Sequence, residues 1–431
     1  MQVLLARWVL PVDAPPIPHG FVAIKDGRIS GVGPIASLPA HVKRDYNPAT
    51  NRTLITPGLI NTHTHLEQSC GERIPKGPDD RMADWLMAFN TTLSDINDPA
   101  VQRAHVRNGL AEMVATGTTT VNDISRQGTS LQVLDEMGLR GMVAIEYFHG
   151  DAFELNTEKL TATADLFLDL QEEYEEHPRL SVGLSPHSPY NVSPKAWRWM
   201  TETCQPAFIH THLAESMDEL RFFRGDDTPE SGEGIYHLHK AWTGFTYPPA
   251  HLGDSPIEYL YRFGLLDVPT IAAHAIYTTE ADRQLLARFG VRVSHCPRSN
   301  LYLQGASLAW RDWERLSEYH IAMGLGTDGH TSTETLDLRD EARAAMALHG
   351  WSAAGVLKRM TLEGAKVLGL KNSIGSLATG KAADVVVWQA ADNLSPVAWQ
   401  QPADRVLDAT TTVQQVLVNG QPVYTRELQT V

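Results

Sequence analysis

Eight short apolar runs, separated by stretches of helical pattern, constrain the fold of this chain more than any other feature. They are Leu59–His63, Thr118–Asp123, Met142–Glu146, Leu180–Ser185, Ala207–His212, Thr270–His274, Val291–His295 and Ile321–Asp328. Helical patterns lie in the gaps at Pro99–Ala115, Thr157–His177, Glu280–Phe289 and Asp337–Leu348. Parallel strands need long crossovers, which helices supply, so the alternation predicts a parallel sheet. Eight repeats predict an α/β fold of the (β/α)8 barrel type. Seven of the eight runs end in, or are followed at once by, a His, an Asp or a Ser-Pro-His group. In such barrels the C-terminal rim of the strands carries the chemistry, so these residues are the first candidates for a site.

The two ends of the chain read differently. Val3–Val9, Gly20–Ile24 and Ile29–Val32 are strand patterns, the last two joined by the turn signal Asp26-Gly27. Near the other end Ala383–Trp388 and Val413–Val418 are β-rich, and Asn419-Gly420 is a second hairpin signal. The economical reading is one small β-sandwich domain formed by residues 1–56 and 371–431, with the barrel, residues 57–370, inserted between them.

Composition excludes several classes of function. The net charge of −15 and the scattered Lys and Arg residues argue against a nucleic-acid partner, whose phosphates need clustered cations. Cys70, Cys204 and Cys296 are too few and too far apart for a disulfide framework or a Cys-x-x-Cys metal knuckle. They suit reduced thiols in a cytoplasmic protein. No run approaches the ~18–20 apolar residues of a membrane span. Met1–Pro11 lacks the basic start and small-residue cleavage site of a signal peptide. The expected partner is a small-molecule substrate, and a homo-oligomer stays open.

Histidine is the unusual residue, with 18 in the chain. His63-Thr64-His65 sets two imidazoles at i and i+2 of a strand, where they share a side and can converge on one ion. Alone, the pair reads equally well as two polar residues leaving a strand. His212-Leu213-Ala214-Glu215 closes the fifth run. There His212 is a candidate ligand, and Glu215 either reaches a substrate atom or decorates a helix N-terminus. His210 shares the inward face of that run. His274 ends the sixth run and Asp328 the eighth. A single His after an apolar run is commonly a satisfied buried residue. Four such sites in barrel order point to a metal centre.

Longer motifs carry a resemblance. PGLINTHTH (Pro57–His65), SPHSPYNVSP (Ser185–Pro194), THLAES (Thr211–Ser216), HCPRSN (His295–Asn300) and GLGTDG (Gly324–Gly329) occur in order, followed by GSLATGKAADVVVW. As a set they resemble the amidohydrolase superfamily, in the branch holding s-triazine chlorohydrolases and deaminases of adenosine derivatives. The resemblance implies one divalent metal, Zn2+ first and Fe2+ as the alternative, held by His63, His65, His212 and Asp328. It implies that Glu215 shuttles protons, His274 partners the bound water and His187 contacts the substrate ring. Superfamily members with two metals bridge them by a carboxylated Lys at the end of the fourth strand. Leu180–His187 has no Lys, which implies a mononuclear site. Such an ion lowers the pKa of its water from about 15.7 toward about 7. Asp328 would accept the released proton, and Glu215 would protonate a ring nitrogen beside the amino-bearing carbon.

The leading function is therefore an aminohydrolase acting on a 6-aminopurine nucleoside. HTHLEQS and SPIEYLYRFGLLD (Ser255–Asp267) resemble the aminodeoxyfutalosine deaminases of menaquinone synthesis. A methylthioadenosine/S-adenosylhomocysteine deaminase, a guanine-type deaminase or a triazine chlorohydrolase is the second reading, and a non-catalytic metal-binding scaffold the third. Deaminases of methylthioadenosine place a ribose-binding Glu soon after a Trp-Leu pair, but Trp85-Leu86 through Leu93-Ser94 contains no carboxylate. Glu67 is the candidate to replace it, with Arg73 or Arg224 pairing with a carboxylate on the substrate's 5′ side chain. The Arg224–Asp254 segment is either a substrate wall or a surface contact, and Trp197, Trp199, Trp310 and Trp313 either stack on a ring or fill the core. Gly324–Gly329 also fits a dinucleotide fingerprint literally. Asp328 would then face a pyrophosphate, so the glycines are better read as allowing close strand approach.

Overall fold

The computed structural model describes the whole chain except residues 44–45, 78, 93–97, 149–156, 228–233, 244–251, 309–320, 392–400 and 427–431. Two sheets organise it. The first joins both termini: β1 (Gln2–Val9), β2 (Ile17–Lys25), β3 (Arg28–Pro34), β4 (Thr53–Pro57), β13 (Val385–Gln389), β14 (Thr412–Val418) and β15 (Gln421–Thr425). Their spatial order is β15-β14-β13-β4-β1-β2-β3, one continuous mixed sheet in which β4 pairs parallel with β1 and antiparallel with β13. The two predicted hairpin turns are present. Asp26 and Gly27 have φ of 50° and 74°, and Asn419 and Gly420 have 48° and 71°. Positive φ at both central residues matches the right-handed twist of the strands a two-residue turn must join.

The second sheet is the barrel, with β5 (Leu59–Thr64), β6 (Thr118–Ser125), β7 (Arg140–Tyr147) and β8 (Leu180–Pro186) followed by β9 (Ile209–Leu213), β10 (Thr270–His274), β11 (Arg292–His295) and β12 (Met323–Leu325). All eight predicted runs are strands, and neighbours in sequence pair in parallel. Between β12 and β5 the seam closes through the Thr64–Asp328 bridge, with Asp328 N–H donating to the His63 carbonyl at 3.1 Å. Glycine makes this approach possible. A Cβ on Gly326 would lie 2.7 Å from Ser294 Oγ and 2.8 Å from His63 Cβ. The GLGTDG glycines therefore serve packing.

Helices cover the barrel as the sequence predicts, with α2 (Pro99–Ala115) starting at Asp98, whose carboxylate accepts from Ala100 N–H at 2.8 Å. Pro99 fills the first helical position, where no amide is needed. A helix the sequence reading did not separate, α1 (Met82–Thr92), lies between β5 and α2. The terminal sheet packs under the N-terminal ends of the barrel strands. Trp388 of β13 is fully buried and donates to Thr56 Oγ1 at 2.9 Å, and Arg140 at the start of β7 pairs with buried Asp384 at 2.8 Å. The opposite rim is left to the site.

Candidate active site

The C-terminal ends of β5, β9, β10 and β12 bring four imidazoles and one carboxylate around a single point. His65 Nε2 lies 3.1 Å from His212 Nε2, and Asp328 Oδ1 lies 3.6 Å from the Nε2 atoms of both His63 and His65. Two ligands of one tetrahedral ion, each about 2.0–2.1 Å from it, are about 3.4 Å apart. The observed separations are therefore those an ion requires. His63 Nε2 is buried and has no hydrogen-bond partner among the described residues. An orphaned ring nitrogen aimed at three other donor atoms fits a cation better than an empty core. These four residues could hold a divalent metal.

The outer sides of His63, His212 and Asp328 are also engaged. His63 Nδ1 meets His210 Nε2 at 3.0 Å, and His212 Nδ1–H donates to the His187 carbonyl at 2.9 Å. Asp328 Oδ2 accepts from Ser299 Oγ at 2.5 Å and from Ser332 Oγ at 3.0 Å. Partners of this kind select the tautomer and aim the ring. Backbone strain concentrates here as well: Ala214, His274 and Asp328 have φ of 52°, 70° and 61°. Left-handed conformations at non-glycine residues cost about 1–3 kcal/mol each, and they cluster where geometry serves a site.

Burial sets the charges. It keeps the imidazoles of His63 and His212 below the ordinary histidine range, and it takes His65 down to about 3 with His63 adding to the effect. Neutral rings keep the lone pairs a cation binds. Burial opposes the charge on Asp328 too, yet the imidazoles of His63, His65 and His274 gathered around it hold its carboxyl well below the usual range. Glu215 is pushed the other way: burial raises its carboxyl above the ordinary range. Its backbone N–H donates to Glu219 at 2.8 Å, while Ser216 caps the following helix through Glu219 N–H. Residues 215–219 thus form a hydrogen-bonded turn around Glu215. Glu215 Oε1 lies 3.7 Å from His274 Nε2, and His274 Nδ1–H donates to Asn300 Oδ1 at 2.8 Å.

Above the cluster opens a cavity lined by His65, His187, His212, Glu215, His274 and Asp328. One wall is apolar, formed by Trp85, Leu86 and Phe89 of α1 with Leu303. Arg126, Glu146 and Phe148 also line the cavity. His187 lies beside Glu146, its Nδ1–H donating to that carboxylate at 2.7 Å and its ring 4.6 Å from that of His212. Glu67 and Arg73 do not line this cavity. The Glu67 carboxylate accepts from Ser125 Oγ at 2.5 Å and from Arg126 N–H at 3.1 Å, and Arg73 pairs with Glu334 at 2.8 Å over the Tyr302 ring. Arg224 donates to the Asp254 carbonyl.

Arg126, Glu146 and α1 were not singled out from the sequence. Glu146 ends the third run, so the strand-end rule that selected the histidines applies to it equally. Arg126 and α1 carry no such signal. Within the Arg224–Asp254 segment the described residues include a helix, Gly234–Thr243, whose Ile235 and Leu238 pack in one apolar cluster with Trp85 and Phe89. That packing favours the substrate-wall reading. Trp197 is core, Trp199 packs against the core, and Trp310 and Trp313 lie outside the described residues.

Comparison with known proteins agrees with this architecture. The Amidohydrolase family pattern matches residues 54–423. A 5-methylthioadenosine/S-adenosylhomocysteine deaminase of Desulforudis audaxviator is 30% identical over 410 residues, covering 90% of this chain and 85% of its own length. The crystal structure of an adenosine deaminase from Xanthomonas campestris with bound zinc superposes with a TM-score of 0.78 at 26% identity, covering 97% of this chain and 92% of that one. Helicobacter pylori aminofutalosine deaminase, in complex with methylthio-coformycin, shares the fold with a TM-score of 0.80 at 21% identity, covering 98% and 100%. With its barrel, its strand-end histidines and a pattern match over most of its length, the chain belongs to the amidohydrolase family of hydrolytic enzymes.

Proposed function

We propose that this chain hydrolytically deaminates a 6-aminopurine nucleoside altered at its 5′ end, with zinc as its resident ion and aminodeoxyfutalosine as the first substrate to test. One observation carries the reading: an ion-sized cluster of donor atoms sits beside a buried carboxyl, raised by burial above its ordinary range, and an imidazole 3.7 Å from it.

A divalent ion held by His63, His65, His212 and Asp328 would supply Lewis acidity and a water deprotonated near neutral pH. The chain's own groups do the rest. Glu215 donates its proton to the ring nitrogen next to the amino-bearing carbon, which makes that carbon electrophilic. His274, aimed by Asn300, presents Nε2 to the attacking water, and Asp328 accepts the first water proton. Collapse of the tetrahedral carbon returns the hydroxyl proton to Glu215 and passes the proton on Asp328 to the leaving amine. Ammonia departs and the ring keeps a carbonyl. His187 holds the far edge of the ring, and Trp85 and Phe89 offer an apolar wall.

Methylthioadenosine and S-adenosylhomocysteine form the second reading, favoured by the name of the relative that aligns over 90% of the chain. Ammonia release is to be compared for aminodeoxyfutalosine, methylthioadenosine, S-adenosylhomocysteine, adenosine, guanine and an s-triazine. Preference for a 5′-modified nucleoside is expected. Preference for guanine or the triazine would discard the nucleoside reading and leave the metal site standing.

A further inference from the structure

The catalytic cluster leaves two charged side chains of the cavity unused. Glu146 ends β7 and is buried, with 6% of its side chain exposed, and Arg126 follows β6. Their separation, 3.6 Å from Arg126 Nε to Glu146 Oε2, makes them an ion pair on one wall, and both line the cavity. Phe148 stacks on His187 at 4.7 Å beside them, with Arg126 5.9 Å from its ring centroid. Glu146 also holds His187, so the pair lies beyond the residue proposed to meet the far edge of the ring. The Glu67 carboxylate accepts from Arg126 N–H and anchors this corner from outside the cavity.

We propose that Glu146 and Arg126 form a subsite for the vicinal hydroxyls of the substrate's sugar. An ionised carboxylate only accepts hydrogen bonds and a guanidinium only donates them. A bare anion on this wall would meet Glu146, and a bare cation would meet Arg126. A hydroxyl both donates and accepts, so two adjacent hydroxyls satisfy the two groups side by side. The inference rests on the nucleoside reading above: the ring edge that faces His187 is the edge from which a sugar extends. It assigns ribose recognition to the ends of the second and third barrel strands rather than to α1 or Glu67. The hydrogen bonds involve charged partners, and their loss lowers affinity by about 10- to 100-fold.

The test uses metal-loaded enzyme with adenosine, 2′-deoxyadenosine, 3′-deoxyadenosine and free adenine. Removing either hydroxyl is expected to lower kcat/KM by about 10- to 100-fold. In Glu146→Gln and Arg126→Gln the ribose-to-deoxyribose ratio is expected to contract toward unity. Calorimetric binding of the same nucleosides to Glu215→Gln repeats the comparison without turnover. Wild-type enzyme that uses the deoxy forms within about threefold of adenosine overturns the subsite, as does full retention of the ratio in both variants. Should Glu146→Gln fail to fold, the wild-type ratio and Arg126→Gln decide the matter. Turnover of adenine or a triazine without any nucleoside turnover overturns the nucleoside reading and the subsite together. Turnover of nucleosides without hydroxyl discrimination overturns the subsite alone.

Discussion

Replacing Glu215 by Gln isolates the proton from every other property of this residue. The side chain is buried, its size is kept, and its nearest ion-pair contact is His274 Nε2 at 3.7 Å. Burial raises the Glu215 carboxyl above its ordinary range, and Gln keeps the shape of the side chain while adding no charge to the buried site. Folding stability is expected to stay within about 1 kcal/mol of wild type. Turnover is a different matter, since an amide cannot deliver a proton to the ring nitrogen. General acid–base groups contribute about 10²- to 10⁴-fold, or about 2.7 to 5.5 kcal/mol at about 1.36 kcal/mol per tenfold. Three measurements are needed on one preparation: ammonia release under saturating substrate, metal content by elemental analysis, and a thermal melt. The expected result is kcat down at least about a hundredfold, with metal content and melting temperature unchanged. Retention of more than about a tenth of wild-type kcat would refute the general-acid role. Loss of metal would show instead that Glu215 supports the ion.

Further predictions concern the metal, pH and the terminal sheet. Purified protein should carry close to one divalent ion per chain, and His63→Ala or His212→Ala should lower that occupancy, because removing one of four ligands leaves a weakly held ion; two tightly bound ions per chain would reject the mononuclear site. Glu341 is buried beside Arg298, and burial pushes its carboxyl up to about 8. A raised folded-state pKa gives stability that is present below the unfolded value and lost as pH rises through the folded one. Melting of Glu341→Gln should therefore gain on wild type between pH 5 and 8 and level off above about 8; a constant difference across that range would contradict it. Trp388→Ala removes a fully buried ring that joins the terminal sheet to the barrel, at an expected cost of about 3–5 kcal/mol read from denaturant unfolding. Its metal content should not change, because the ring lies at the end of the barrel opposite the site.

The elements and most of the histidine and aspartate cluster are legible in the sequence, because both are written in local pattern. Period and spacing mark an apolar run such as Thr270–His274 without reference to the rest of the chain. Once eight such runs close into a barrel, the residue at each C-terminal end must face the same rim, so His63, His65, His212 and Asp328 stand out before any contact between them is known. Asp-Gly and Asn-Gly likewise specify their hairpins, since the conformation is local to two residues. What surrounds the candidate metal site is settled by the folded chain instead. Glu67 and Arg73 follow β5 and suit a substrate role by position, yet one carboxylate is taken up by Ser125 and Arg126 N–H and one guanidinium by Glu334. Arg126 and Glu146 become neighbours only because β6 and β7 pair in register, and α1 becomes a wall only because helix Gly234–Thr243 packs behind it. Recognition of a substrate depends on side chains brought together across loops of unrelated sequence. Their partners are set by three-dimensional packing, which no spacing within one segment encodes.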